Sequence, residues 1–337
     1  MSTIAIDTLT RATPADLNAA FTEFLRLDVA NGDASKDTVC SYRGQVAAWT
    51  AWCRDQGIET STATTDDVKH YRQCLIDRHC KPASIRWMLT IVRRFYEAAR
   101  HAGLCSDNPA AGVKSPRVRQ AAEDFKYLSN EQLDNLLASV PNPEEASGPE
   151  KVKRLRNLLS LMMMALHGLR TVEVHRANVE DLLERGEHTA LLVRGKTRDR
   201  LVYLRPDTVL WLKAYLEVRG QVPTDTSGTP VFAALGNRAD RGRISRRHIR
   251  QITDHYLQLA GLKRPGISNH ALRHTAGTLG YLYTRDLRAV QELLGHTDPR
   301  MTARYAHVVD MAERNPALSI PVKLGGGRVS GRECDRS

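Results

Sequence analysis

The sequence predicts a mainly α-helical protein with a small β-sheet, built as an N-terminal helical bundle and a larger second domain. Three observations carry this expectation. Apolar residues recur at steps of three and four along most of the chain, the period of an amphipathic helix. One stretch, TALLVRGKTRDRLVYL at 189–204, reads instead as two β-type runs around a polar turn. Between the helical regions, DNPAAGVKSPRVRQAAEDFKY at 107–127 breaks the periodicity with prolines and basic residues, as an exposed linker does.

Residues 14–103 read as four helices. The second, SKDTVCSYRGQVAAWTAWCRDQG, sets Val39, Tyr42, Val46, Trp49 and Cys53 in one apolar stripe and stops at Gly57. The third starts after Thr64 or Thr65 with acids in its first turn, where the helix dipole favours them. The fourth opens on Pro82 and buries Ile85, Leu89, Val92 and Tyr96, with Arg86, Arg93, Arg94 and Arg100 on its other sides. Helix resumes behind Ser129, with Gln132 three positions on, a capping-box pattern. LMMMAL at 161–166 is the buried face of a later helix, far too short to cross a bilayer. The expected layout is a flexible N-terminus at 1–13, a helical domain at 14–110, a linker at 111–127, a second domain at 128–322 and a disordered tail at 323–337.

A chain of 337 residues is long enough for two full-sized cores. Its 49 Lys and Arg against 38 Asp and Glu give a formal charge of +11, which favours a polyanionic partner. Nucleic acid ranks ahead of a membrane surface, because no basic amphipathic helix stands out. The six cysteines form no CxxC pair and no metal-ligand spacing, and read as reduced thiols. The N-terminus lacks a basic region followed by an apolar one, so no signal peptide is evident. A soluble, cytoplasmic protein is expected.

Four stretches gather groups able to act on a phosphate. NHALRHTAGT places His270, Arg273 and His274 behind Ser268 and Asn269, residue types that cap a helix, and a helix start among cations suits an anion. LHGLRTVEV leaves a helix at Gly168 and exposes Arg170 ahead of Glu173. The hairpin turn RGKTRDR holds Lys196, crowded by Arg194, Arg198 and Arg200. LLGHTDPRMTARYAHV ends a helix at Gly295, presents His296 at the turn, and starts another at Pro299 that carries Tyr305. Taken singly, each has an ordinary explanation: a salt-bridging arginine, a solvated lysine, a capping histidine, a packed tyrosine. Their joint occurrence changes the balance. RGKT is not a P-loop, since Ala190 stands where that motif needs glycine. With no HExxH and no evident acidic cluster, neither metal nor cofactor is expected. Arginine forks and imidazole donors can then stabilise the charge that builds on phosphorus. A tyrosine hydroxyl can serve as nucleophile, and a lysine on a loop can protonate the departing oxygen.

These motifs resemble those of the phage-integrase family of tyrosine recombinases, nearest in layout to the Xer recombinases. HGLRTVEV, RGKTRDR, HALRHT, LLGHTD and TARYAHV stand in family order, and TVCSYRGQVAAWTAWCRDQG with DNPA resembles the family's N-terminal core-binding domain. The resemblance implies a SAM-like core-binding bundle joined to a catalytic domain of the DNA breaking-rejoining fold, the two closing round a duplex as a clamp. It implies that Tyr305 attacks the scissile phosphate, that Arg170 and Arg273 grip it, that Lys196 is the general acid, that His270 assists proton transfer, and that His296 donates a hydrogen bond. Glu173 is the supporting acid, and His274 is expected to be structural, its side chain turned away. His175 stands where the family usually has an apolar residue and receives no role.

By the same resemblance, the protein performs site-specific recombination through a 3′-phosphotyrosyl intermediate and a Holliday junction, without metal or ATP. Its partners are double-stranded DNA sites and copies of itself, a homo-tetramer assembled as pairs of dimers. The segment after Tyr305 would dock on a neighbouring protomer. DNA contacts are expected from Arg86 and Arg93 in the first domain and from Arg241, Arg243, Arg246 and Arg247 in the basic run RADRGRISRRHIR. No separate arm-binding domain is expected ahead of the first helix. The alternatives are a type IB topoisomerase-like enzyme and a non-catalytic DNA-binding relative.

Overall fold

The computed structural model describes residues 13–117, 126–195, 198–236 and 242–313, with the backbone alone at 311–313. The chain divides into two compact units, Met1–Ala121 and Ala122–Ser337.

The first unit holds four helices: α1 (Pro14–Leu27), α2 (Lys36–Asp55), α3 (Thr65–Asp77) and α4 (Pro82–His101). Thr13 and Thr64 cap α1 and α3 in reciprocal boxes with Asp16 and Asp67, satisfying amide donors that the helix itself leaves open. The apolar stripes meet in one core. Leu17, Phe21 and Leu25 pack with Val46, Trp49, Cys53, Tyr71, Ile85, Leu89 and Phe95, all buried. Val39 and Tyr42 lie at the margin of that core. At its centre the Trp49 indole donates to the Tyr96 hydroxyl (3.1 Å), which donates to the Thr60 carbonyl (2.8 Å). The two polar handles of the core are thereby satisfied, as burial requires.

In the second unit, α5 (Asn130–Ala138) begins at the Ser129–Gln132 capping box, and α6 (Gly148–Ala165) runs through the core. From Leu155 to Ala165 every residue of α6 is buried, which explains the LMMMAL run. After the short α7 (Thr171–Arg176) comes an antiparallel sheet of β1 (Leu182–Arg185), β2 (His188–Val193) and β3 (Arg200–Tyr203), in that order. Leu191 of β2 faces Leu182 on one side and Val202 on the other. The sequence reading had two strands. It missed β1, four residues with two at each end differing only from half-buried to exposed, which leaves too little alternation to detect. The helices α8 (Pro206–Val218), α9 (Arg246–Leu259), α10 (Asn269–Thr284), α11 (Leu287–Leu294) and α12 (Pro299–Glu313) complete the unit. Helix α10 packs against α6, α11 and α12, and so links the main core to a smaller one formed by Tyr281, Val290, Leu294, Tyr305 and Val309. Among the described residues no helix is long and apolar enough to cross a membrane, and the five described cysteines are unpaired.

Trp49→Ala should lower the stability of the first unit by about 3–5 kcal/mol, the usual cost of emptying a buried tryptophan site. Urea unfolding followed by circular dichroism checks it, and an unchanged midpoint would contradict the placement of Trp49 at the core's centre.

Candidate active site

Four chain segments converge on one buried carboxylate. Helix α6 ends at Ala165, and Gly168, at φ +66°, reverses the chain so that Arg170 becomes the N-cap of α7. A side chain at 168 would be strained by that backbone and would also run into Leu294. Glu173, in the first turn of α7, folds back on this cap. Its Oε2 accepts the Arg170 amide (2.8 Å) and its Oε1 accepts Arg170 Nη1 (2.8 Å). Arg200, at the start of β3, reaches the same carboxylate with both terminal nitrogens, at 3.0 and 2.9 Å. The Arg200 Nε donates to the Leu293 carbonyl at 3.1 Å, tying the sheet to α11. Arg273 of α10 lies 3.7 Å from Glu173 Oε2 and donates to the carbonyls of Gly168 and Leu294.

The electrostatics follow from that count. Burial by itself would raise the Glu173 carboxyl, but the Arg200 hydrogen bonds and charge, the Arg170 amide and the Arg273 charge hold it down to about 2. Glu173 is therefore ionised, with a side chain only 5 % exposed. Three guanidinium groups face this one carboxylate, so two positive charges remain uncompensated. Arg273 is 2 % exposed, and burial followed by the nearby Arg170 lowers its guanidinium to about 9, still protonated at neutral pH. The Arg170 side chain is 39 % exposed and opens onto a cavity of about 830 Å³ also lined by Arg176, Arg194, Arg198, Arg200 and His296, with Asp199 and Glu292 as its other carboxylates, so that guanidinium groups are in excess. A pocket with that charge and those forks fits an oxyanion.

Tyr305 stands beside the cluster. Helix α11 ends on Gly295 in the left-handed conformation (φ +62°), a tight turn follows, and α12 carries Tyr305 back against α10. The phenol is 1 % exposed. Gly277 makes this seat: a Cβ there would sit 2.6 Å from Tyr305 Cζ and 2.9 Å from Leu294 Cδ1. His296 lies parallel to the phenol ring at 6.1 Å, and its Nδ1 is 2.9 Å from the Thr302 hydroxyl. Burial, then the charges of Arg273, Arg170 and Arg200, push His296 down to about 4, so it is neutral at pH 7. Burial raises Tyr305 to about 12 against the pull of Arg273, Arg304 and Arg170. The phenol is thus protonated at rest.

Of the residues singled out in the sequence, Arg170, Glu173, Arg273, His296 and Tyr305 come together. His270 is exposed at the start of α10, with its pKa lowered by burial of its ring and by Arg273 and Arg170. Lys196 lies outside the described residues. Ser268 holds the N-cap position of α10 without a side-chain capping bond, and the buried Asn269 amide turns to Met164 Sδ (3.4 Å).

His274 requires a correction. It does not turn away: its Nδ1 is 3.1 Å from the Tyr305 hydroxyl, and its ring meets that of His270 edge-on at 4.4 Å. The spacing explains this, since positions 270, 274 and 277 fall on one helix face, the face α12 covers. Arg243 is also corrected. Its side chain is 8 % exposed and is spent on Asp225, Asn178 and the carbonyls of His175 and Gly228, so it fastens loops and is not presented to DNA. Arg93 is part-buried and donates to the Ala110 and Val113 carbonyls, pinning the segment after α4. Arg86 and Arg247 are exposed, Arg246 is half-buried, and Arg241 lies outside the described residues. His175 now has an account: its Nδ1 is 2.7 Å from the Ile244 carbonyl, which joins α7 to the approach to α9. Beside His274, which the sequence reading turns away from the site, Arg200 and Gly277 receive no site role from the sequence. Only the i, i+3, i+4 spacing within HALRHTAG signalled His274 and Gly277.

Comparisons with known proteins give the family and the fold. Residues 126–311 match the model of the phage integrase family, and residues 19–103 match that of the phage integrase N-terminal SAM-like domain. The chain is 27 % identical over 297 residues to the tyrosine recombinase XerD of Rhizobium meliloti (strain 1021), covering 88 % of this chain and 93 % of that one. It is 28 % identical over 277 residues to XerD of Proteus mirabilis, covering 81 % and 83 %. Among solved structures it resembles the XerH site-specific recombinase in a pre-cleavage complex with difH (TM-score 0.59, 19 % identity, 82 % and 76 % covered). It also resembles a lambda integrase dimer bound to a COC′ core site (TM-score 0.63, 15 % identity, 93 % and 80 % covered). With a catalytic-domain match that spans more than half its length, this chain belongs to the phage integrase family and is a tyrosine recombinase, an enzyme of DNA recombination.

Proposed function

We propose that this chain cuts and rejoins specific DNA sites with Tyr305 as nucleophile. The observation that carries the reading is the pairing of a protonated, buried phenol with a cluster that has two positive charges to spare. A phosphodiester brings one negative charge and acquires a second as the phenol adds to phosphorus. Arg170 and Arg273 supply charge-assisted hydrogen bonds to the non-bridging oxygens, and Glu173 with Arg200 holds the two forks in place before substrate arrives. His296 is neutral. With its Nδ1 on Thr302, a proton at Nε2 serves as a donor to the phosphate. Lys196 protonates the 5′ oxygen as it leaves, and His270 contacts the phosphate at the mouth of the site.

The product is a 3′-phosphotyrosyl ester with a free 5′ hydroxyl. Because the ester keeps the energy of the broken bond, a 5′ hydroxyl from a partner duplex can attack it in turn. Two such exchanges pass through a Holliday junction without ATP. A tetramer on DNA, formed as pairs of dimers, brings the duplexes together, and the segment following Tyr305, from residue 314 on outside the described residues, docks on the neighbouring protomer. Duplex DNA is contacted by the exposed Arg86 and Arg247, with Arg246 next to Arg247 in sequence, and the reaction takes place in the cytoplasm.

A nicked suicide duplex carrying the cognate site tests the reading. Wild type should form a covalent adduct, Tyr305→Phe none, and Arg273→Ala about a hundredfold less rapidly than wild type or slower. An adduct from Tyr305→Phe would overturn it. Gly277→Ala should raise helix propensity yet displace the phenol, cutting adduct formation by roughly a hundredfold while DNA binding persists. Wild-type rates in that variant would mean the close seat is irrelevant. Glu173 makes a pH prediction. Its folded pKa lies below the unfolded value of 4.5, so its contribution is complete above about 4.5 and is lost as pH falls towards 2, on the order of 3 kcal/mol in all. Urea unfolding at pH 7 and pH 3 should show a steeper acid loss in wild type than in Glu173→Gln, and equal losses would contradict it.

A further inference from the structure

The geometry points to His274 as the base that takes the Tyr305 proton when the phenol attacks phosphorus, a role that rests on the reading of Tyr305 as nucleophile. Its Nδ1 is 3.1 Å from the hydroxyl, and the two rings are tilted at 54° with centroids 5.9 Å apart. Among the described residues, the other groups named around the phenol are poorly suited to accept a proton. Arg273, Arg170 and Arg304, which act on it electrostatically, are cations without a lone pair. His296 lies flat against the ring, and its Nδ1 faces Thr302. His270 meets the ring of His274. Tyr305 is itself 1 % exposed, so bulk water has little access to its hydroxyl.

Burial, followed by the charges of His270, Arg304, Arg273 and His296, lowers His274 to about 3. The imidazole is therefore neutral at pH 7, and in its Nε2-protonated tautomer Nδ1 keeps a lone pair that can accept from the phenol. Arg273 is among the groups that lower His274 and is also one that a phosphate would meet. Incoming negative charge offsets its field and favours the imidazolium. The base thus strengthens as the substrate seats and the phosphorane forms, and the phenol stays protonated until then.

The atoms balance. As the Tyr305 oxygen–phosphorus bond forms and the bond to the 5′ oxygen breaks, the phenol proton moves to His274 Nδ1. The 5′ oxygen takes its proton separately, from the general acid. On rejoining, the attacking 5′ hydroxyl returns its proton to the general acid, which gave one up in the first step, and the departing phenolate recovers one from the His274 imidazolium.

Covalent adduct formation on the suicide duplex tests the role, with a second duplex carrying sulfur in place of the bridging 5′ oxygen. A thiolate leaves without needing a proton, so that substrate relieves a lost acid but not a lost base. His274→Ala and His274→Asn should each react roughly a hundredfold more slowly than wild type on both substrates, with duplex binding retained. The asparagine carboxamide can still accept near the Nδ1 position but cannot carry the proton away, so it decides the matter if His274→Ala does not fold. His274→Asn within about threefold of wild type would reduce His274 to a positioning residue and overturn the proposal. Recovery of either variant on the sulfur substrate would also overturn it, by moving the defect to the leaving group. If wild type forms no adduct on either duplex, the nucleophile reading itself fails, and this role falls with it.

Discussion

The Glu173 carboxylate is the point on which the site depends. Three guanidinium groups from α7, β3 and α10 would repel one another in a space that excludes most water, and a single buried anion lets them share it. Because Glu173 also accepts the Arg170 amide, the charge that pairs the arginines caps the helix carrying it. Backbone geometry and electrostatics are therefore set together. The pocket stays net positive, so it is complementary to a phosphate and most fully to a phosphate that has gained a second charge.

Around that centre, small residues control how near the reacting parts approach. Gly168 lets the chain turn under Leu294, Gly277 accepts the phenol ring, and Gly295 accepts Arg200, whose Cδ would lie 2.7 Å from a Cβ at that position. These contacts bring α10, α11 and the sheet within reach of one carboxylate. They also make Tyr305 a packed member of the small core with Leu294 and Val309. In the proposed role of nucleophile, a phenol held by packing would lose little further freedom on reaction, the entropic advantage of a preorganised site. Burial pushes its hydroxyl up to about 12, so it is protonated at neutral pH.

Much of this was legible in the sequence. The four N-terminal helices, the caps at Thr64 and, in the second unit, at Ser129, and the apolar stripes carrying Trp49 and Tyr96 follow from periodicity and local hydrogen bonding, which short segments encode by themselves. The motif positions of Arg170, Glu173, Arg273, His296 and Tyr305 were readable because each sits at a helix start, a helix end or a fixed helical spacing. Partners of a charge were harder to read. Arg243 and Arg93 look like DNA contacts in a basic run, and only folding reveals that nearby carbonyls and carboxylates use their donors. Arg200 looked like one more charge on a loop, yet it makes the two-pronged bond to Glu173, 27 residues away. His274 was misjudged because its significance depends on α12, which no local pattern places over α10. Strand β1 was too short to alternate visibly.

Mass-spectrometric mapping of the trapped protein–DNA adduct, after nuclease digestion, tests the central claim most directly. The account places the residual nucleotide on the phenol oxygen of Tyr305, through its 3′ phosphate. A nucleotide found on any other side chain, or one joined through its 5′ phosphate, would contradict it.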